Sequence, residues 1–508
     1  MLHQTEYDMT NVFTLASIFL IFSITQSIGQ PSTVTVGSTT LDVRVVIEGS
    51  NSTNGIDIPW EIQWGSDDHI WMTERYGRVS RLNPTTGVRT TILDLTSSVY
   101  VNSEAGLLGM QLHPDFENTP QVFLAYTYNI GADPTSGSPA NVRERIVRYD
   151  YNDVSNTLSN PLTLLEGING WTTHIGCRLL ILPDNTLLAT TGDYQNQPSA
   201  QDDNSLSGKI LRMNLDGTIP TDNPFGASSY VYSKGHRNAQ GLLIGPNGKI
   251  YSSEHGPSTN DEFNIIVAGG NYGWPDVEGF CTGSELTDCN AMTNYQDPLA
   301  IWYNGSTIAP SDIAWYDHPA IPEWQGKILM TVLKTEHVKV LELNPAGTAI
   351  TGEEIMFNSG HAGNPSSTSS GTYGNGDFNR LRDILVAPDG RVFLATSGSS
   401  WGTSGTFTNT IVELKNSAYI ATGIFDGNRT KQTQIFPNPS NGDLKLVFDE
   451  KLIGGNFSVT DRVGKIIFTG QVNTVQQELN LSNLASGLYF LQARSENYAS
   501  NERILITE

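Results

Sequence analysis

Residues 173–193, THIGCRLLILPDNTLLATTGD, contain the turn-and-strand unit on which the rest of this chain is built. The stretch predicts a loop with a histidine, a strand, a Pro-Asp-Asn turn and a second strand that returns an aspartate towards the loop. A neutral imidazole whose second nitrogen donates to a carboxylate is oriented and made more basic. We therefore predict a general base at His174 that Asp193 orients. The alternative is a structural histidine, because a single motif of this kind is weak evidence.

The same unit, a polar turn followed by an apolar strand, returns between about residues 38 and 416. The turns are Ser66-Asp67-Asp68, Pro114-Asp115, Pro183-Asp184-Asn185, Pro246-Asn247-Gly248, Pro322-Glu323 and Pro388-Asp389-Gly390. A self-similar all-β period is typical of a propeller. We therefore predict an all-β protein whose main domain, 38–416, is a six-bladed β-propeller. A sandwich is less suitable, because so long a β region would need several of them.

The composition agrees with this fold class and limits the partners. The 508 residues include 49 Gly and 24 Pro, which punctuate short apolar runs, and the formal net charge is -23. Nucleic acid and anionic membranes would repel such a chain, so we expect neither as a partner. Only 29 residues are Lys or Arg, and basic residues grouped in loops are therefore informative.

The N-terminus carries an apolar run at residues 12–24, followed by small residues up to about Gly29. This pattern is typical of a signal peptide, predicted over residues 1–29, although no Lys or Arg precedes the run. A buried N-terminal strand is the alternative. No other segment is long and apolar enough to span a bilayer, so we expect no membrane span in the mature protein.

A second unit follows the propeller. Residues 417–433 read as a polar linker, and residues 434–508 read as short alternating strands of a small β-sandwich. The second unit resembles the sorting domain of the type IX secretion system, in FPNPSNG at 436–442 and in the segments 461–465 and 484–489. The resemblance implies delivery by that machinery to the cell surface or the medium. An adhesive sandwich is the alternative.

Basic residues fall at several of the loops between the strands. Arg380 and Arg382 alternate along an extended segment, so both guanidinium groups can face one ligand, and such groups suit carboxylates. With Arg237 and Lys334 they make four cations at loops that meet at a propeller's central mouth. They predict a small polyanionic ligand, with solvated surface residues as the alternative.

Two further features concern metal binding and cysteine chemistry. The Gly256-Pro257 turn can present backbone carbonyls, which are suitable ligands for Ca²⁺, although a plain tight turn is the alternative. Cys281 and Cys289 flank a loop that a disulfide could close in an oxidising compartment, which the sequence leaves open. Cys177 is the remaining cysteine, and we expect a structural thiol there.

Taken together, the motifs resemble the soluble PQQ-dependent glucose dehydrogenases and the wider aldose sugar (glucose/sorbosone) dehydrogenases over most of residues 55–416. The shared stretches are GLLG at 106–109, HPDF at 113–116, His174 with Arg178-Leu179, GKILR at 208–212, GHRN at 235–238, EHGP at 254–257, NYGWP at 271–275 and RLRD at 380–383. The resemblance implies a propeller that holds pyrroloquinoline quinone (PQQ) over Ca²⁺. It also implies oxidation of the C1 hydroxyl of aldose sugars to lactones, with electrons passing to an external acceptor.

The resemblance assigns catalytic roles to three residues. His174 would take the proton of the C1 hydroxyl, Asp193 would orient it, and Arg237 would lie beside the quinone oxygen. Glu104 would line the sugar pocket, at a position where the best-known glucose enzymes carry Gln. Thr173 likewise replaces an Asp. These departures imply a broader aldose specificity.

The resemblance also assigns the cofactor site. Lys334, Arg380 and Arg382 would hold the carboxylates of PQQ, and Asn238 would form a hydrogen bond nearby. The carbonyls of Gly256 and Pro257 would bind Ca²⁺, which polarises the quinone as a Lewis acid.

Two other functions stay open at this stage. A Ca²⁺-dependent propeller lactonase would need side-chain oxygens converging on the metal, and the cations would then have no purpose. A non-catalytic propeller that binds glycans or proteins is also consistent, because propellers have many functions. Reconstitution with PQQ and Ca²⁺ distinguishes these possibilities.

Overall fold

The computed structural model describes residues 33–49, 56–302, 307–357, 378–397, 408–419, 433–438, 440–461, 465–495 and 499–507. The predicted signal peptide, residues 1–29, and most of the predicted linker lie outside these ranges. Within them the regular structure is almost entirely antiparallel β-sheet, as the sequence predicts. No helix in these ranges has the length and apolar character needed to cross a membrane.

The first region is a series of short strands in chain order. They are β1 (Thr33–Val36), β2 (Thr39–Ile47), β3 (Pro59–Trp64), β4 (Ile70–Glu74), β5 (Arg78–Leu82), β6 (Arg89–Asp94), β7 (Leu107–Leu112), β8 (Gln121–Asn129), β9 (Val142–Asn152), β10 (Thr157–Asn169), β11 (Gly176–Ile181), β12 (Thr186–Thr191), β13 (Lys209–Asn214), β14 (Val231–Lys234), β15 (Ala239–Ile244), β16 (Ile250–Glu254), β17 (Asp261–Ile266), β18 (Ala300–Trp302), β19 (Pro310–Tyr316), β20 (Lys327–Val332), β21 (His337–Leu343), β22 (Ile350–Met356), β23 (Leu381–Val386), β24 (Val392–Thr396) and β25 (Ile411–Lys415). A short α-helix, α1 (Leu286–Ala291), lies between β17 and β18.

These strands form six sheets within the described residues. Each run of four from β3 to β22 is one sheet, and the sixth has the order β1-β2-β25-β24-β23. The first strands of successive sheets, β3, β7, β11, β15, β19 and β23, contact one another, and β23 contacts β3. The sheets therefore form a closed ring. Strands from the two ends of the region share the sixth sheet, so β1 lies ahead of the predicted domain start at residue 38.

The apolar core is divided among the interfaces between neighbouring sheets. Trp71 of the first sheet packs with Met110 and Leu124 of the second, and Ile62 packs with Phe393 across the interface that closes the ring. Equivalent clusters fill the other four interfaces. Burying one such side chain contributes roughly 1.5–3 kcal/mol, so these interfaces stabilise the ring.

The six turns found in the sequence each connect the first and second strand of a sheet. The first and second strands are antiparallel, so the residues before the first and after the second lie together at the opposite end. That opposite end carries the predicted site residues.

The C-terminal region contains β26 (Gln434–Phe436), β27 (Asp443–Val447), β28 (Asn456–Thr460), β29 (Ile466–Gln471), β30 (Gln476–Asn480), β31 (Gly487–Arg494) and β32 (Ala499–Ile506). They form two sheets, of order β26-β27-β30 and β29-β28-β31-β32. Leu446 of the first sheet and Val459 and Leu491 of the second belong to one buried apolar cluster. The motif positions Pro439 and 462–464 lie outside the described residues.

Candidate active site

The predicted base and its partner are brought together by one antiparallel strand pair. His174 precedes β11, Asp193 follows β12, and Gly176 pairs with Thr191. The Nδ1 atom of His174 lies 2.7 Å from Oδ1 of Asp193. Both side chains are buried. A single hairpin, β11–β12, therefore separates the two residues in sequence and brings their side chains together.

Glycine at position 192 makes this close approach possible. A Cβ atom on Gly192 would lie 1.8 Å from the carbonyl oxygen of His174. His174 itself has a φ of 55°, a left-handed conformation that is unusual for a residue with a side chain. Its backbone N–H donates to Oε2 of Glu104 at 2.7 Å, which helps to hold that conformation.

Asp193 is held as an acceptor by three donors. In addition to His174, the backbone N–H of Gln195 donates to Oδ1 at 2.9 Å, and the indole Nε1 of Trp274 donates to Oδ2 at 2.9 Å. Burial raises the pKa of this carboxyl, but the hydrogen bonds from His174, Gln195 and Trp274 outweigh that effect and lower it. Asp193 is therefore a carboxylate, and the proton of the imidazole is on Nδ1.

The other ring nitrogen of His174 faces donors. The guanidinium NH2 of Arg237 lies 2.9 Å from Nε2, and the amide nitrogen of Gln195 lies 3.1 Å from it. A guanidinium group can only donate, so Nε2 is an acceptor. The imidazole is therefore neutral, with its lone pair on Nε2. This is the form that a general base requires.

A cavity of about 330 Å³, including the solvent at its mouth, lies beside the base. Its lining residues come from all six sheets and their loops: Trp60, Glu104, Leu108, Ile175, Gly176, Gln240, His255, Leu333, Arg380 and Arg382. Two predicted cations and the predicted sugar-pocket residue thus share one cavity with the two residues that directly follow His174.

Arg382 has an unusual environment for a guanidinium group. Its NH1 donates to Oε1 of Gln240 at 2.9 Å and approaches Oγ of Ser311 at 3.5 Å, and both of these are neutral groups. Its buried Nε meets no acceptor among the described residues. Burial, and then the positive charge of Arg380, lower the pKa of Arg382 to about 9. An anion bound in the cavity would offset the free-energy cost of burying this positive charge.

The remaining predicted residues lie close to the cavity but do not line it. Lys334 is in the turn after β20, next to Leu333, and its backbone N–H donates to the carbonyl of Ile308 at 3.0 Å. Asn238 is buried, and its Oδ1 accepts from the backbone N–H of Gly176 and from Gln240, both at 3.1 Å. The side-chain oxygen of Asn238 therefore links the backbone that follows His174 to Gln240.

Gly256 and Pro257 lie in the loop between β16 and β17, directly after the cavity residue His255. The backbone N–H of Gly256 donates to Asp261 at 2.9 Å. The same carboxylate accepts from Thr307 and from the backbone of Ile308, which fixes the loop. Within the described ranges, no three His, Cys, Asp or Glu side chains are grouped so that they could hold a metal ion.

One buried cluster at the centre of the ring was not predicted. NH1 of Arg178 contacts Glu61 at 2.5 Å and Asp383 at 2.9 Å, and its NH2 lies 3.5 Å from Asp312. Its Nε donates to the carbonyl of Gln240, whose side chain in turn contacts Arg382. Arg178 and Asp383 lie in stretches that carry the resemblance, but their pairing crosses the ring.

The cysteines have structural roles. Cys281 and Cys289 form a disulfide around the start of α1, which resolves the pairing that the sequence left open. Cys177 is free and buried, with its Sγ 3.8 Å from Oε2 of Glu144. Burial and then the neighbouring Glu144 raise the pKa of this thiol well above its ordinary value, which disfavours the nucleophilic thiolate.

Known proteins are similar to this chain in sequence. Residues 56–403 match the family model of glucose / sorbosone dehydrogenases, and residues 434–507 match that of the secretion system C-terminal sorting domain. The chain is 31% identical to quinoprotein glucose dehydrogenase B of Acinetobacter calcoaceticus, over 74% of this chain and 89% of that protein. An aldose sugar dehydrogenase of Escherichia coli is 28% identical over 68% of this chain and 88% of its own length.

Solved structures agree with these sequence matches. The PQQ-bound form of an aldose sugar dehydrogenase from Streptomyces coelicolor aligns with a TM-score of 0.58 at 30% identity, over 74% of this chain and 98% of that one. The fold and the matches therefore define the class as an oxidoreductase. The chain belongs to the glucose/sorbosone dehydrogenase family, and its C-terminal sorting domain indicates export to the surface or the medium.

Proposed function

We propose that this protein is a secreted quinoprotein dehydrogenase that oxidises the C1 hydroxyl of aldose sugars to lactones, with PQQ as cofactor and Ca²⁺ beside it. The main support is the position of the neutral His174, paired with Asp193, next to a cavity lined by Arg380 and Arg382. A base for a hydroxyl proton and cations for a polycarboxylate are what such a reaction needs from the protein.

The residues at the cavity fit a tricarboxylate. Arg382 is buried against neutral partners, and its Nε meets no acceptor in the described part of the chain. Arg380 lines the same cavity. We propose that both hold carboxylates of PQQ and that Lys334 and Asn238, at the edge of the cavity, contribute further donors. Guanidinium forks are well suited to this task, because they bind carboxylates in bidentate geometry.

The proposed Ca²⁺ ligands are the backbone carbonyls of Gly256 and Pro257. Carbonyl oxygens are suitable ligands for Ca²⁺, and among the described residues neither of these oxygens accepts a hydrogen bond. When bound, PQQ accepts the two electrons removed from the sugar, and Ca²⁺ polarises it as a Lewis acid.

The chain's own residues handle the proton. The Nε2 lone pair of His174 would receive it from the C1 hydroxyl, whose oxygen would replace Arg237 and Gln195 at that nitrogen. Asp193 already binds the Nδ1 proton, so its negative charge stabilises the imidazolium that forms. Arg237 remains as a fixed positive charge, which we assign to the side of the quinone oxygen.

Glu104 is the residue that we assign to sugar recognition. Its carboxylate lines the cavity and accepts the backbone N–H of His174 at 2.7 Å. A carboxylate there can accept hydrogen bonds from sugar hydroxyls. The charge differs from the neutral amide of the best-known glucose enzymes, so we propose that aldoses other than glucose are also substrates.

The domain organisation completes the proposal. We infer that the ring of sheets is a six-bladed propeller that includes β1 and so begins slightly before the predicted bounds of 38–416. We further propose that a signal peptide at 1–29 precedes it and that a linker at 417–433 follows it. The two C-terminal sheets, which share one apolar cluster, would form the β-sandwich of residues 434–508. We propose that type IX secretion machinery recognises this domain.

Reconstitution tests the proposed function. The purified chain is titrated with PQQ in the presence of Ca²⁺ and then assayed with a panel of aldoses and a dye acceptor. We expect saturable quinone absorbance and sugar-dependent dye reduction. His174→Ala should lower kcat by about 10²–10⁴-fold, the usual contribution of a general base, without weakening PQQ binding.

The matched control is His69→Ala, which removes a histidine in the turn between β3 and β4, at the other end of the ring. It should leave both binding and rate unchanged. Absence of quinone binding by the wild-type chain would refute the proposal. Ca²⁺-dependent lactone hydrolysis without PQQ would favour the lactonase alternative, and glycan binding alone would favour a non-catalytic propeller.

A further inference from the structure

Trp274 contacts two groups at the base from a separate part of the chain. It lies in the segment between β17 and β18, and its indole Nε1 donates to Oδ2 of Asp193 at 2.9 Å. The guanidinium carbon of Arg237 lies 5.4 Å from the centre of its ring. One buried side chain therefore contacts both the residue that orients His174 and the cation that lies at its Nε2.

Hydrogen bonds of the Trp274 backbone to neighbouring loops fix the position of the indole. The N–H of Trp274 donates to the carbonyl of Gly235 at 3.1 Å, and its carbonyl accepts from the side chain of Gln201 at 2.8 Å. Gln201 also exchanges hydrogen bonds with Asn271 at 2.9 Å. These contacts link the segment to the loops that carry Asp193 and Arg237. The position of the ring is consequently set before any substrate arrives.

We propose that Trp274 is a positioning residue for proton abstraction, which fixes the carboxylate of Asp193 through its N–H and the guanidinium of Arg237 through its ring. This role rests on the proposed function, since it acts through His174. The proposed function assigns no other role to the NYGWP segment, and the contacts of Trp274 with Asp193 and Arg237 give a chemical reason for a Trp at this position. An indole offers both a donor and a wide aromatic face at this point.

The direction of the effect follows from the charge on Asp193. A donor on Oδ2 stabilises the carboxylate and so weakens its attraction for the Nδ1 proton of His174. Without that donor, the carboxylate attracts the proton more strongly and the imidazolium is favoured. The other charged or titratable groups near the pair are Arg237, Glu104 and His255. Trp274→Phe leaves Glu104 and His255 in place and keeps an aromatic ring beside Arg237.

The first test is an NMR titration of the full chain without cofactor. Histidine is labelled at Cε1, and the His174 signal is identified from its loss in His174→Asn. In Trp274→Phe, which keeps an aromatic ring and loses the N–H, the midpoint of the His174 titration should move to higher pH by about 0.5 unit. In the wild-type chain, the Trp274 indole N–H signal should titrate with the same midpoint as His174.

The matched control is Trp71→Phe. Trp71 is also buried and its Nε1 donates to Asp67 at 3.1 Å, but it lies in the first sheet, away from the base. Trp71→Phe should leave the midpoint of the His174 titration unchanged. The proposal would be overturned if the midpoint of the His174 titration were unchanged or lower in Trp274→Phe. It would also be overturned if the chemical shift of the Trp274 indole N–H did not change with the His174 titration. These readouts need no PQQ, so they decide the matter even if the proposed function fails.

The second test uses the reconstituted enzyme. Trp274→Phe should lower kcat by about tenfold and move the acid limb of the kcat–pH profile upwards, with KM for the aldose within about twofold of wild type. Trp274→Leu should lower kcat further, because Arg237 also loses its aromatic neighbour. An increase in KM alone would overturn the positioning role and assign Trp274 to sugar binding instead.

Discussion

Arg178 and Arg382 lie against the same indole ring, with their guanidinium carbons 4.5 and 5.7 Å from the centre of Trp60. Both are buried in the middle of the ring of sheets. Their contact partners differ in charge. Arg178 contacts the carboxylates of Glu61, Asp383 and Asp312, whereas Arg382 donates to the neutral Gln240 and Ser311.

The difference separates a structural arginine from one that is suited to a ligand. Burial alone lowers the pKa of a guanidinium, but the three carboxylates around Arg178 more than offset this and raise its pKa. Burial and Arg380 lower the pKa of Arg382 to about 9. The carboxylates of the folded chain thus compensate the positive charge of Arg178. The buried charge of Arg382 keeps a desolvation cost, which an anionic ligand would offset.

The largest expected effect is a loss of stability when the cluster of Arg178 with Glu61, Asp312 and Asp383 is broken. Arg178→Met keeps similar bulk but leaves three carboxyl groups without their cation. We expect the free energy of unfolding to fall by about 3–5 kcal/mol, the usual cost of removing one partner of a buried ion pair. Urea unfolding followed by tryptophan fluorescence measures it.

Arg78→Met is the control for that substitution. Arg78 is 35% exposed and lies 3.4 Å from Asp57, so it belongs to a surface ion pair. Its loss should cost less than about 1 kcal/mol. Equal losses for the two variants would mean that the central cluster contributes no more than a surface pair.

The next effect should appear in ligand binding rather than in stability. Under the proposed function, Arg382→Met should weaken PQQ binding by about 30-fold to 1,000-fold, because it truncates a buried partner of a carboxylate. Its free energy of unfolding should change by about 1 kcal/mol or less, since no buried carboxylate loses a partner. Quinone absorbance titration and urea unfolding of the same preparation measure the two quantities.

A large loss of stability together with unchanged quinone binding would contradict this assignment of Arg382. It would mean that Arg382 belongs to the structural cluster with Arg178. Arg178→Met, measured where it remains folded, should have the opposite profile.

The sequence predicted those features whose partners are near in the chain. The six turns mark the first hairpin of each sheet because turn chemistry is local, and His174 and Asp193 are separated by one such hairpin. A resemblance then supplied the roles of the more distant residues. The signal for an anion site came from alternation of Arg380 and Arg382 within one strand segment.

The contacts that the sequence did not predict join different sheets. Trp274 and Asp193 are 81 residues apart, and Arg178 is 117 residues from Glu61 and 205 from Asp383. No periodicity or local propensity encodes such pairings, because they depend on how the sheets close into a ring. Only a second sequence signal, such as the placement of a charged residue on an otherwise apolar first strand, could have pointed to them.

The smallest effect concerns the pH dependence of the central cluster. Three carboxyl groups face one guanidinium, so burial, with the repulsion from Asp312, outweighs Arg178 and raises the pKa of Glu61 to about 7. A raised pKa contributes stability that is complete below about pH 4.5 and is lost as the pH rises through about 7. Glu61→Gln cannot titrate. Between about pH 5 and about pH 8, it should therefore lose about 1–2 kcal/mol less than the wild type in free energy of unfolding.

Glu413→Gln provides the contrast in this experiment. Burial opposes ionisation of Glu413, but hydrogen bonds from Arg44 and Arg391 lower its pKa. Its stabilising contribution is therefore already present at about pH 5 and should be missing from the variant at both pH values. If Glu61→Gln and the wild type instead followed the same pH dependence, Glu61 would be ionised throughout this pH range, and its raised pKa would be wrong. The contrast with Arg382, which has neutral partners, would then be larger.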